Sequence, residues 1–184
     1  MQLSLKHCGI RSWRAEDAAT LPQFANNRNI SRNLRDTFPH PYTADHASSF
    51  IATALDQSPE THFAIEVDGL AVGGIGVRLR DDIERYVAEL GYWLGEPFWG
   101  HGIATEAVTA ISSFAIREYS LQRIEAWVFH WNPASARVLE KAGYRWEATL
   151  RRSAVKEGQV IDRMLYALLP EIPQDTLTGT KASR

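Results

Sequence analysis

The stretch from Val87 to Tyr119 limits the possible folds more than any other part of the chain. It reads Val-Ala-Glu-Leu-Gly-Tyr-Trp-Leu, then Gly-Glu-Pro-Phe-Trp-Gly-His-Gly, then Ile-Ala-Thr-Glu-Ala-Val and onward. Alternation marks Val87 to Leu94 as a strand, with Glu89, Gly91 and Trp93 on one face and Leu90, Tyr92 and Leu94 on the other. Past the glycines, Ala104, Ala107, Val108, Ile111, Phe114 and Ala115 recur at spacings of three and four, the period of a helix with one face on a sheet. Gly100 and Gly102 at the helix start let the backbone come close to a ligand. The first helical N–H groups have no intrahelical partner, so they can receive an anion. The turn therefore describes a pyrophosphate seat; the other reading is a tight strand-to-helix connection and nothing more.

The flanking segments supply the rest of a sheet. Leu3 to Trp13 reads as an opening strand, and Arg14-Ala-Glu-Asp starts a helix that runs to about Asn26. From Asn29 to Tyr42 the chain is polar and irregular, with two prolines that stop a helix; Phe38, His40 and Tyr42 are its candidate pocket residues, the alternative being aromatics tucked onto the core. Thr43 is placed to cap a helix through about Asp56. His62 to Val67 and Leu70 to Arg78 form a hairpin about Asp68-Gly69, and Gly73, Gly74 and Gly76 permit a close backbone approach or a bulge in its second strand. Arg123 to Phe129 follows the long helix and is expected to run parallel to the Val87 strand through a right-handed crossover. Asn132 caps the next helix, with Pro133 at its first position and Gly143 at its stop. A hairpin of Tyr144 to Ala154 and Val160 to Leu169 ends the fold.

A chain of 184 residues with 45% hydrophobic content is long enough for one core, so residues 1–169 are expected to form a single domain and 170–184 a flexible tail. The formal net charge of -2, with no basic run longer than a pair, argues against nucleic-acid and anionic-membrane partners. No apolar run approaches the roughly 20 residues of a membrane-spanning helix. The six histidines and the lone cysteine, Cys8, show no metal-ligand spacing, and one cysteine makes no internal disulfide. With no signal-peptide layout at the N-terminus, a cytoplasmic location is expected. A monomer or a homodimer fits equally well.

Taken together, Glu89-Leu-Gly-Tyr-Trp-Leu, Pro97-Phe-Trp-Gly-His-Gly-Ile-Ala-Thr-Glu-Ala107 and Asn132-Pro-Ala-Ser135-Ala-Arg-Val-Leu-Glu-Lys-Ala-Gly143-Tyr144 resemble the GNAT acetyltransferase superfamily, over about residues 8–169. Within it the chain is most similar to the branch of ribosomal-protein N-terminal acetyltransferases. The resemblance implies an α+β fold: a mixed, mostly antiparallel sheet of about seven strands flanked by helices, with a splayed parallel pair holding acyl-CoA. It implies acetyl-CoA as co-substrate. The backbone of Gly100, His101, Gly102, Ile103, Ala104 and Thr105 would hold the pyrophosphate, and the pantetheine arm would pair near Tyr92, Trp93 and Leu94. Trp99 stands where the family motif has Arg or Gln. By the same resemblance, Asn132 would touch the cofactor and Ser135 would protonate the departing thiolate.

Amide formation needs a neutral amine, a polarised carbonyl and a proton for the leaving thiolate. Glu89 is the candidate base, acting through water, with burial beside Trp93 expected to raise its pKa; the alternative is a structural carboxylate. Ala154 occupies the position where part of the branch carries a second candidate glutamate. An α-amine, with an ordinary pKa of about 7.7, is roughly one-sixth neutral at pH 7, whereas a lysine amine at about 10.4 is less than a thousandth neutral. The expected acceptor is therefore a protein N-terminal α-amine; a small amine such as a polyamine or an antibiotic is the alternative. A non-catalytic acyl-CoA sensor is the alternative of another class. A dinucleotide-binding module lacks its third motif glycine, because Thr105 stands there, and Glu125 lies mid-strand rather than at a strand end.

Overall fold

The computed structural model describes residues 1–170. Except for Pro170, the tail expected over 170–184 lies outside them. One eight-stranded sheet carries the architecture, in the order β1-β2-β3-β4-β5-β6-β8-β7. Its strands are β1 (Gln2–Ser4), β2 (Gly9–Ser12), β3 (His62–Val67), β4 (Leu70–Leu79), β5 (Val87–Leu94), β6 (Arg123–Phe129), β7 (Arg145–Lys156) and β8 (Gln159–Leu168). Every pairing is antiparallel except β5 with β6. The extra strand relative to the sequence expectation comes from the N-terminus. Leu3 to Trp13 is a hairpin rather than one strand, folded back at Lys6-His7, whose backbone N–H groups both donate to the Glu106 carboxylate (2.7 and 2.9 Å).

Helices cover both faces. On one side lie α4 (Ile103–Glu118) and α5 (Pro133–Lys141), which bury Ile103, Ala107, Val108, Ile111 and Leu139 against Ile65, Val77, Leu90 and Ile124. The other face holds a smaller cluster, in which Leu21, Ala25, Ala47 and Ile51 meet Trp13, Ala64 and Ala71. It is covered by the 3-10 turn Ala15–Ala19, by α1 (Pro22–Ala25) and by α3 (Ala44–Asp56). The helix expected from Arg14 to Asn26 is thus two short pieces, because Pro22 has no N–H to continue the first one. A further short helix, α2 (Arg28–Ser31), precedes the irregular loop and is capped by the Asn27 side chain. Thr43 caps α3: its hydroxyl accepts from His46 N (3.3 Å).

Two details of β4 and β5 shape the centre of the molecule. A Cβ on Gly74 would come within 2.8 Å of Trp93 Nε1, so the glycine lets the indole lie against the sheet. The parallel register between β5 and β6 ends at Leu90 opposite Ala126. Beyond it, β5 continues with β4 alone and β6 with β8 alone, so the two central strands splay. Gly95 N donates to Val72 O across the β4 edge (2.8 Å). By alternation, Trp93 also faces β4, and the main-chain groups of Tyr92 and Leu94 face the gap.

Candidate active site

The gap opens into a cleft of about 1730 Å³ that passes through the centre of the molecule. Its walls include Glu89, Tyr92, Trp93, Leu94, Gly100, Gly102, Ile103, Ala104, Thr105, Asn132 and Ser135, together with Phe38 and Tyr42. Residues that the sequence placed on separate segments therefore meet around one space. One expectation fails. His40 is exposed and lies outside the walls, because the tight loop turns Phe38 and Tyr42 inward, stacked at 4.9 Å, and leaves His40 outward. His101 is exposed and outside the walls as well, but the part expected of it is a backbone one in the glycine turn.

At the donor end, Gly100 and Gly102 have φ values of +81° and +80°, the left-handed conformation in which a side chain would be strained. The first intrahelical bond of α4 runs from Glu106 N to Gly102 O (3.0 Å), so the N–H groups of Ile103, Ala104 and Thr105 precede it and point out of the helix end. Gly102 itself stands at the N-cap and makes no side-chain capping bond to them. These features make a seat for an anion. Trp99, in the position where Arg or Gln is usual, donates from Nε1 to Leu94 O (2.7 Å). It fastens the glycine turn to the end of β5.

Across the gap, Asn132 Oδ1 accepts from Ser135 N (3.2 Å) and so caps α5. This fixes Ser135, whose hydroxyl shares a 2.7 Å hydrogen bond with the Tyr92 hydroxyl. Burial pushes the Tyr92 phenol up to about 12, and the Ser135 bond offsets only part of that rise. Tyr92 therefore keeps its proton at neutral pH.

Glu89 corrects the expectation of a raised carboxyl. Burial does push it up, but Arg35 Nη2 on one carboxylate oxygen and Arg78 Nη2 on the other (2.5 Å each) outweigh burial and hold it below the ordinary carboxylate range. Arg78 pairs with Glu89 in the β4–β5 register, so a sequence register could have found it. Arg35 comes from the irregular loop, and no spacing rule brings it there. Sequence reasoning likewise missed Trp127, Trp131 and Arg163, which line the same cleft; Lys156, a buried cation bound to Asp36 (2.7 Å), lines it from the final hairpin. Ala154 is in the wall and carries no acid-base group.

The splayed strands, the free N–H groups of α4 and the Tyr92 and Leu94 backbone fit a long, anionic, amide-bearing ligand. The sequence comparisons agree. Residues 7–145 match the profile of the acetyltransferase (GNAT) domain. The uncharacterized N-acetyltransferase p20 of Bacillus licheniformis is 31% identical over 167 residues, which covers 87% of this chain and 91% of that protein. Mycobacterium smegmatis RimJ, solved with a CoA-disulfide, is similar with a TM-score of 0.80 at 26% identity, over 89% of this chain and 82% of that one. RimL, a ribosomal-protein alpha-N-acetyltransferase solved with coenzyme A, shares the fold with a TM-score of 0.81 at 18% identity, over 92% and 98% of the two chains. A cleft between splayed central strands, a glycine-led helix end and this match over most of the sequence together show that the chain belongs to the GNAT N-acetyltransferase family.

Proposed function

We propose that this acetyl-CoA-dependent N-acetyltransferase acts on protein N-terminal α-amines, as a member of the ribosomal-protein N-terminal acetyltransferase branch. The observation that carries the reading is the state of Glu89. With both carboxylate oxygens held by guanidinium groups, it is a poor proton acceptor. A site with so weak a base needs an acceptor that arrives neutral, and the neighbouring cations disfavour an ammonium further. An ordinary α-amine meets that need far better than a lysine or a polyamine. The 26% identity to a RimJ protein supports the same branch.

In this reading the N–H groups at the α4 end and the Gly100–Gly102 turn hold the pyrophosphate of acetyl-CoA, and the Tyr92 and Leu94 backbone aligns its pantetheine arm. A backbone N–H there polarises the thioester carbonyl. The neutral amine attacks that carbon: the C–N bond forms, the C–S bond breaks, and the amine gives up one proton to water. Ser135 supplies the proton that the thiolate takes up while Tyr92, still protonated, holds its hydroxyl in place, and the proton released to water returns to Ser135 through solvent.

The test pairs two peptides that differ only in their amines, one with a free α-amine and no lysine, the other N-terminally blocked with a single lysine. Mass spectrometry after incubation with acetyl-CoA should find acetylation of the first alone. Modification of the lysine peptide at an equal rate would refute the α-amine reading.

A further inference from the structure

The charge of the acceptor end points to the sequence of the peptide, an inference that rests on the N-terminal reading above. The chain as a whole carries a net charge of -2, yet the acceptor walls are cationic. Arg32, Arg35, Arg78, Lys156 and Arg163 line them, against only Asp36 and Glu89. Both acids are already engaged: Glu89 by two arginines and Asp36 by Lys156. Among the described residues the site therefore offers an incoming cation no unpaired carboxylate.

Two of the five cations have no carboxylate partner among the described residues, and both are seated on indole rings. The Arg163 guanidinium lies 4.6 Å from the Trp127 ring centroid, and its Nε donates to Ser153 Oγ (3.0 Å). Among the described residues its two terminal nitrogens have no hydrogen-bond partner. Arg32 lies over Trp131 at 5.9 Å, and the Trp131 indole is itself fixed by a bond from Nε1 to Asn33 Oδ1 (3.1 Å). An aromatic seat holds a guanidinium in place while leaving its N–H edge free for a carboxylate. The tip of the β7–β8 hairpin is drawn over this end by the Lys156–Asp36 pair and by Arg28 on Glu157 (3.1 Å). A bound chain leaving the amine site would run past Trp127 and Trp131.

We propose that Arg163 and Arg32 select N-termini followed, within the first few residues, by aspartate or glutamate. The same positive field lowers the pKa of a bound α-amine, whichever peptide carries it.

Three peptides that differ only at positions two to four, acidic, neutral or basic, would be compared by thiol release from acetyl-CoA at low salt. The acidic peptide should exceed the neutral one about tenfold in kcat/KM, the scale of one charge-assisted hydrogen bond, and the basic one by more. The gap should narrow in high salt. Arg163→Gln should reduce the acidic-over-neutral ratio through KM rather than kcat. Arg32→Gln, at an exposed position, should do so with the fold untouched. Equal rates for all three peptides would overturn the selectivity and leave the N-terminal reading standing. Acetylation of spermidine with no peptide modified would overturn both.

Discussion

Gly102 shows how much one residue decides. Its φ of +80° strains any side chain, but a Cβ placed there would meet nothing within 4 Å, so space is not what it protects. Gly102→Ala should therefore cost about 1 kcal/mol of stability and little affinity, whereas Gly102→Glu should remove measurable acetyl-CoA binding by setting a negative charge at the anion seat. Calorimetric titration of the two variants separates strain from charge. Glu89 is the residue at which sequence reasoning went furthest astray. Its place on β5 was legible from alternation, but its ionisation depends on Arg35, which arrives through a loop with no periodic pattern. Because its folded pKa lies below the unfolded value near 4.5, the carboxylate stabilises the fold above that pH and the contribution is lost as pH falls through the folded pKa. Between pH 6 and 9 it does not titrate. The rate should instead rise with pH through the pKa of the acceptor amine, and Glu89→Gln should leave that limb in place while lowering kcat less than the roughly 100-fold typical of losing a general base. An acid limb that moves in Glu89→Gln would restore it as the base.

At the scale of elements, what could be read in advance depended on whether the signal was local. The α3 cap at Thr43, the Asp68-Gly69 hairpin and the Asn132-Pro133 start of α5 lie where the sequence puts them, because capping and turn chemistry act over three or four residues. The N-terminal hairpin was hidden, since its turn is held by Glu106, about a hundred positions away. The same distinction governs Asn132. Its side chain caps α5 and thereby sets the Ser135 hydroxyl against Tyr92. Asn132→Ala should cost about 1 kcal/mol in thermal stability, and kcat should fall as Ser135 loses its position, while Asn132→Asp, which can still accept from Ser135 N, should recover most of both. If Asn132→Asp regains stability but not affinity for acetyl-CoA, the amide also touches the donor directly.

Over the whole molecule, the decisive event is that β5 and β6 stop pairing at Leu90 and Ala126 while each remains fixed to its outer neighbour. That arrangement leaves strand edges unpaired in the centre of the sheet, where a ligand that completes them joins the two halves. The two hairpins and the parallel crossover followed from the sequence; the order of the strands is a tertiary outcome, and so is the length over which the central pair stays bonded, whose splaying was visible only through resemblance. A ligand bridging this gap binds the folded state and not the unfolded chain, so it raises stability by mass action. At about 100 times its dissociation constant, acetyl-CoA should add about 2.7 kcal/mol, which for a domain of this size is an increase of roughly 5 to 10 °C in Tm. NAD also carries a pyrophosphate and an adenosine but has no pantetheine arm to complete the Tyr92 and Leu94 edge. Thermal unfolding with each ligand at equal concentration should therefore show the full increase with acetyl-CoA and less than about a third of it with NAD, the share left to phosphate contacts at one helix end. Equal shifts would mean that the turn at Gly100–Gly102 does all the binding and that the splayed strands contribute nothing.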